Sequence, residues 1–180
     1  MHSFTKLEQN IIDMIEEEQI KLGYHSETVR LYYPLSSLNR LINEQCTVSQ
    51  MHSRLADFCR LTGDRLGNIE ITSGGERFCF TLPPRAADYV HENMSHDGFL
   101  SRLIGVVSGH GSTLDDVLAV FRAYSDHIVV KQMQGEDFDY LIYFQDGVPN
   151  DYRYCFTFEG GHVIYHRYTA GDYQEFGFSE

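Results

Sequence analysis

The stretch Tyr152-Arg153-Tyr154-Cys155-Phe156-Thr157-Phe158-Glu159-Gly160-Gly161-His162-Val163-Ile164-Tyr165-His166-Arg167-Tyr168-Thr169 decides the fold. Two runs rich in aromatic and β-branched residues flank a Gly-Gly pair, the pattern of antiparallel strands joined by a two-residue loop. Such a loop fixes the register: Phe158 faces Val163, Phe156 faces Tyr165 and Tyr154 faces Arg167. One face of the hairpin is then largely aromatic. The other carries Arg153, Cys155, Thr157, Glu159, His162, Ile164, His166 and Tyr168. That mixture suits solvent or a shallow binding surface, with Arg153, His162, His166 and Tyr168 as the candidate binding residues.

Working outward, the same period of two marks strands at 128–133, 138–144 and 173–178, so that about five strands form an antiparallel meander. Three helical patterns precede it, at 85–94, 97–107 and 113–124, the last behind a Ser112 cap with Asp115 at the capping-box position. Helices packed on one side of such a sheet give an α+β architecture.

Pro83-Pro84 interrupts the chain, because neither residue donates to a ladder, and separates region 1–84 from region 85–180. The two regions are expected to pack as one unit. The first opens with a helix over 5–22, whose stripe is Leu7, Ile11, Met14, Ile15 and Leu22 and whose stop is Gly23. An extended piece at 28–33 ends at Pro34, and Ser36 or Ser37 caps a brief helix to Ile42. Thr47-Val48-Ser49-Gln50 is a capping box opening a helix that ends near Gly63. Two alternating runs follow around Gly74-Gly75, pairing Ile71 with Phe78 and Ile69 with Phe80. Helix, strand, helix, helix and hairpin in this order read as winged-helix-like.

A winged helix would present Gln50, Arg54 and Arg60 to DNA from its third helix, since Gln and Arg can contact base edges bidentately. Charge opposes this reading. The chain carries a net charge of −12, and region 1–84 holds eight Lys and Arg against eleven Asp and Glu, a net of −3. No domain-wide positive field steers phosphate.

A metal- or Cys/His-dependent enzyme is the other alternative. His91, His96 and His110 offer nitrogen ligands, but a five-residue step rotates about 140° around a helix, so His91 and His96 do not share a face. No metal set or cofactor is assigned. Cys155 lies opposite His166 across the hairpin, near enough for thiol and imidazole to meet, but no orienting group or oxyanion donor accompanies them. Ser108-Gly109-His110-Gly111-Ser112 lacks the Gly-Lys-Ser/Thr of a phosphate loop and reads as a turn between helices.

The four cysteines show no C-x-x-C and read as reduced thiols. Leu103 to Val107 is far shorter than the roughly 20 residues of a membrane span, and the N-terminal residues resemble no signal peptide, so a cytosolic protein is expected.

Val29-Arg30-Leu31-Tyr32-Tyr33-Pro34-Leu35-Ser36-Ser37-Leu38, with Tyr154-Cys155-Phe156-Thr157, Tyr165-His166-Arg167-Tyr168 and Asp172-Tyr173, resembles a bacterial family of uncharacterised proteins, a domain of unknown function. The resemblance spans most of the chain. It implies a bacterial cytosolic origin and supplies no functional residues. The expectation is therefore a non-catalytic interaction or regulatory protein, with a protein partner of unknown identity and meander edges through which a homodimer could form.

Overall fold

The computed structural model describes residues 4–135 and 137–178. They form two units, one ending at Met94 and one beginning at Ser95. Helix α4 (Pro84–Asn93), which the sequence assigns to the second region, belongs to the first unit. Pro83-Pro84 starts this helix, since a proline at N1 forfeits only an N–H that has no helical partner anyway.

In the first unit, α1 (Thr5–Leu22) buries Leu7, Ile11 and Ile15, but Met14 and Leu22 of the expected stripe are exposed. Polar side chains take their places. Asn10 accepts a hydrogen bond from the Tyr33 hydroxyl at 2.8 Å, and Gln19 donates to the Ala87 carbonyl at 2.9 Å. Strand β1 (Val29–Pro34) points Val29, Leu31 and Tyr33 inward. Helix α2 (Leu35–Ile42) begins directly after Pro34, so neither Ser36 nor Ser37 is its cap, and Ser37 is buried, accepting from Arg40 instead.

The Thr47–Gln50 capping box is present at the start of α3 (Val48–Leu66). This helix runs past Gly63 and stops at Gly67 (φ +77°), where an added Cβ would lie 2.7 Å from Pro83. Strands β2 (Glu70–Gly74) and β3 (Arg77–Leu82) complete an antiparallel sheet of order β1-β3-β2.

The first hairpin differs from expectation by two residues. Ile71 pairs with Phe80, Ser73 with Phe78 and Gly74 with Arg77, which makes Gly75-Glu76 the loop. The Glu76 carbonyl accepts the Leu35 N–H at 2.7 Å, which draws Glu76 out of the ladder. A slip of two preserves each residue's face, and Phe78, Phe80 and Leu82 remain fully buried.

In the second unit, α5 (Phe99–Val107) and α6 (Leu114–Arg122) precede strands β4 (Ile128–Gln132), β5 (Tyr140–Phe144), β6 (Arg153–Glu159) and β7 (His162–Tyr168) in a meander of that order. The α6 capping box is Thr113 with Asp116, one residue later than expected, because the Ser112 hydroxyl turns back to the Val106 carbonyl at 2.7 Å. The second hairpin has the expected register, and both loop glycines have positive φ, +60° and +79°. At Gly161 an added Cβ would lie 2.7 Å from the exposed His110 ring, which would have to move to admit it.

The inner face of the sheet packs Ile142, Phe144, Tyr154, Phe156 and Val163 against Phe99, Leu103, Val117 and Phe121. Phe99 and Phe121 meet edge to face at 4.9 Å, a geometry favoured by the ring quadrupoles. No fifth strand forms at 173–178, so the meander has four strands rather than five. Thr169 instead accepts from the Asp172 N–H and donates to its carboxylate at 2.8 Å, capping a short helix, α7 (Ala170–Glu175). Among the described residues, no helix is long and apolar enough to cross a membrane.

Candidate functional site

The outer face of the second sheet is built from two rows that cross the strands. Lys131, Leu141, Cys155 and His166 are successive partners in one row. Val129 and Tyr143 are partners in the next, as are Arg153 and Tyr168. The Arg153 guanidinium lies 3.9 Å from the centre of the Tyr143 ring, a cation–π contact that links the two pairs.

Helix α7 changes the character of this face. Tyr173 is fully buried and joins Phe138, Leu141 and Cys155 in a small second core, with Tyr168 and Phe178 against it. Tyr168 approaches Phe176 at 5.5 Å, and burial, aided by the Cys155 thiol, pushes its hydroxyl above the ordinary tyrosine range. Cys155 does lie opposite His166. The thiol residue is only 1% exposed and belongs to the small core, whereas His166 is exposed.

Of the four candidate binding residues, Arg153, His166 and Tyr168 come together: Arg153 is the cross-strand partner of Tyr168, and the His166 and Tyr168 rings are 6.4 Å apart. His162 stands apart at the hairpin, about 13 Å from His166 along the strand, with its ring 5.1 Å from that of His110. Two exposed apolar side chains flank this group along the face, Phe176 (65% exposed) beside Tyr168 and Ile164 (51% exposed) two residues before His166 on β7. Sequence reasoning passed over Tyr143 and Phe176. The Thr169-x-x-Asp172 cap was the signal that the aromatic tail folds back as a helix.

The α3 surface is more committed. Gln50 accepts from the Thr47 N–H as part of the capping box. Arg54 is bidentate to Glu44, within 3.9 Å of Asp57 and 5.1 Å over the Phe4 ring. Arg60, exposed at 74%, pairs with Asp57 at 3.1 Å. Each of the three residues has an intramolecular contact.

His91 lies flat under Tyr24 at 3.9 Å. The Tyr24 hydroxyl donates to Asp88 at 2.6 Å, which raises the phenol pKa and, with Ser26, holds the Asp88 carboxyl below its usual range. This contact pins the segment after α1 to α4. Among the described residues, no three His, Cys, Asp or Glu side chains form a set that could hold a metal ion.

No curated protein and no solved structure matches the chain. One family model does, over residues 4–177, described as a domain of unknown function named for an E. rectale gene. That span takes in both units, and the chain belongs to this family of bacterial proteins, DUF3877.

Proposed function

We propose that the chain is a cytoplasmic, non-catalytic interaction or regulatory module whose contact surface is the outer face of the second sheet. The observation that carries this reading is the line Ile164, His166 and Tyr168 along β7 with Phe176 beside it, in which Ile164 and Phe176 are 51% and 65% exposed. Ile164 and Phe176 mark the two ends of this line, since Tyr168, which Phe176 approaches, is about 13 Å along the strand from Ile164. Exposed apolar side chains among polar groups suit a protein-contact site. His166 lies within the line and Arg153 beside its Tyr168 end, so the partner is a protein segment that lays separate apolar side chains on Ile164 and on Phe176 and turns a carboxylate toward Arg153.

Replacing Ile164 with a photo-crosslinking amino acid in the bacterial host tests this. A discrete protein adduct is expected there, and none with the crosslinker at exposed Met14 of α1. Absence of an adduct at Ile164, or the same adduct at both positions, would overturn the reading.

A second reading draws on the first unit, where the order α1-β1-α2-α3-β2-β3 and the sheet order β1-β3-β2 suit a winged-helix module. DNA contact would rest on Gln50, Arg54 and Arg60. It requires a salt-sensitive gel shift that Arg60→Ala weakens, and no shift at low salt would dismiss it.

A further inference from the structure

We infer that β4 is the seam of a homodimer, in which two copies of the chain pair their β4 strands antiparallel about Val130 and join two four-stranded sheets into one. Strand β4 is at the edge of its sheet. Gln145 donates to the His127 carbonyl and Met133 to the Asp139 carbonyl, each at 2.8 Å, so residues 127 and 133 bond inward to β5. Antiparallel alternation then turns residues 129 and 131 inward as well, and points the N–H and C=O of Ile128, Val130 and Gln132 away from the sheet. Among the described residues no backbone hydrogen bond reaches that side, and Val130 is 38% exposed.

An edge of this kind is a template for another strand unless proline, a bulge or charge blunts it. The sequence Ile128-Val129-Val130-Lys131-Gln132 has no proline and pairs with β5 without a bulge. Its one deterrent is Lys131, and the deterrent selects a register. Pairing centred on Lys131 would set two ammonium groups opposite each other. Pairing centred on Val130 sets Lys131 against Val129 of the second copy, and matches Ile128 with Gln132, Val130 with Val130 and Gln132 with Ile128. All three outward residues of each copy then gain both backbone bonds, and the contact closes on itself as a two-fold interface must.

Sedimentation equilibrium over a concentration series tests this, because the mass should rise from 20.8 kDa toward twice that value. Val130→Pro removes an N–H that faces away from β5, so the intrachain ladder survives. This variant should stay monomeric while keeping the wild-type circular dichroism. Mixed labelled and unlabelled wild-type chains provide a register-specific readout that needs no variant: an intermolecular NOE between the α-protons of Val129 and Lys131. A wild type monomeric at its highest soluble concentration, a Val130→Pro protein that dimerises as strongly, or intermolecular NOEs only to other residues would each overturn the inference. Loss of the Ile164 crosslink leaves this result untouched, so the two proposals fail separately.

Discussion

The chain contains two glycine-containing hairpins, and they obey their turns differently. In the second, Gly160-Gly161 joins β6 and β7 with both φ angles positive, and the register follows from the turn. In the first, Gly74-Gly75 offers the same signal, yet Gly75-Glu76 is the loop, because the Glu76 carbonyl serves the first N–H of α2. An outside partner does not by itself displace a register: the Gly161 carbonyl accepts the Gly111 N–H at 2.7 Å, but Gly161 is a loop residue and the ladder beside it is intact. Where the outside N–H takes the carbonyl of Glu76, which a Gly74-Gly75 loop would place in the closing pair of the ladder, the register shifts by the one step that keeps side chains on their faces.

The contrast extends to the cores. The first unit buries Asn10 and Gln19 along α1, whereas the second gathers Phe99, Phe121, Phe144, Tyr154 and Phe156 into one aromatic cluster. The largest effect is therefore expected from Phe121→Ala, which vacates the centre of that cluster. A loss of about 3–5 kcal/mol should appear as loss of amide-exchange protection in β5, β6 and β7. Retained protection there would mean that the cluster is not the core of the second unit.

The hairpins themselves can be set against each other. Gly161→Ala meets both a positive φ and the His110 ring, and should cost about 2 kcal/mol or more in urea unfolding. Gly75→Ala meets the positive φ alone, with nothing within 4 Å of its added Cβ, and should cost about 1 kcal/mol. Equal costs would show that His110 does not constrain the second turn.

The smallest predicted difference lies between the two capping boxes. Thr47→Ala and Thr113→Ala should each cost about 1 kcal/mol near neutral pH. The Thr47 box is completed by neutral Gln50, the Thr113 box by Asp116, whose carboxyl the Thr113 backbone N–H and hydroxyl hold below the usual carboxylate range. A carboxyl with a lowered folded pKa stabilises above its unfolded value, about 4, and that contribution is lost as pH falls through the folded value. Urea titrations at pH 7 and pH 3 should therefore show the Thr113→Ala penalty shrinking with acid and the Thr47→Ala penalty persisting.

Much of the architecture was legible because local signals agreed with tertiary demand. The extent of α1, the Thr47–Gln50 box, the order β4-β5-β6-β7 and the second hairpin all follow from periodicity and turn residues. Other features were not, and three show why. Alternating aromatics at 173–178 imitate a strand, and only the Thr169–Asp172 cap distinguishes the helix. The helical continuation through Gly63 is stabilised by burial of Thr62 and Leu66, a tertiary term. The proposed contact surface joins residues from β5, β6, β7 and the segment after α7, and hairpin register alone reaches only those on β6 and β7.

Native mass spectrometry of the protein isolated gently from its bacterial host tests the central claim most directly, with wild type beside Ile164→Asp. The account predicts a defined protein partner on the wild type, lost from a folded Ile164→Asp chain whose own oligomeric state is unchanged. The same partner mass on both proteins, or no partner on either, would contradict the assignment of the outer sheet face as a contact surface.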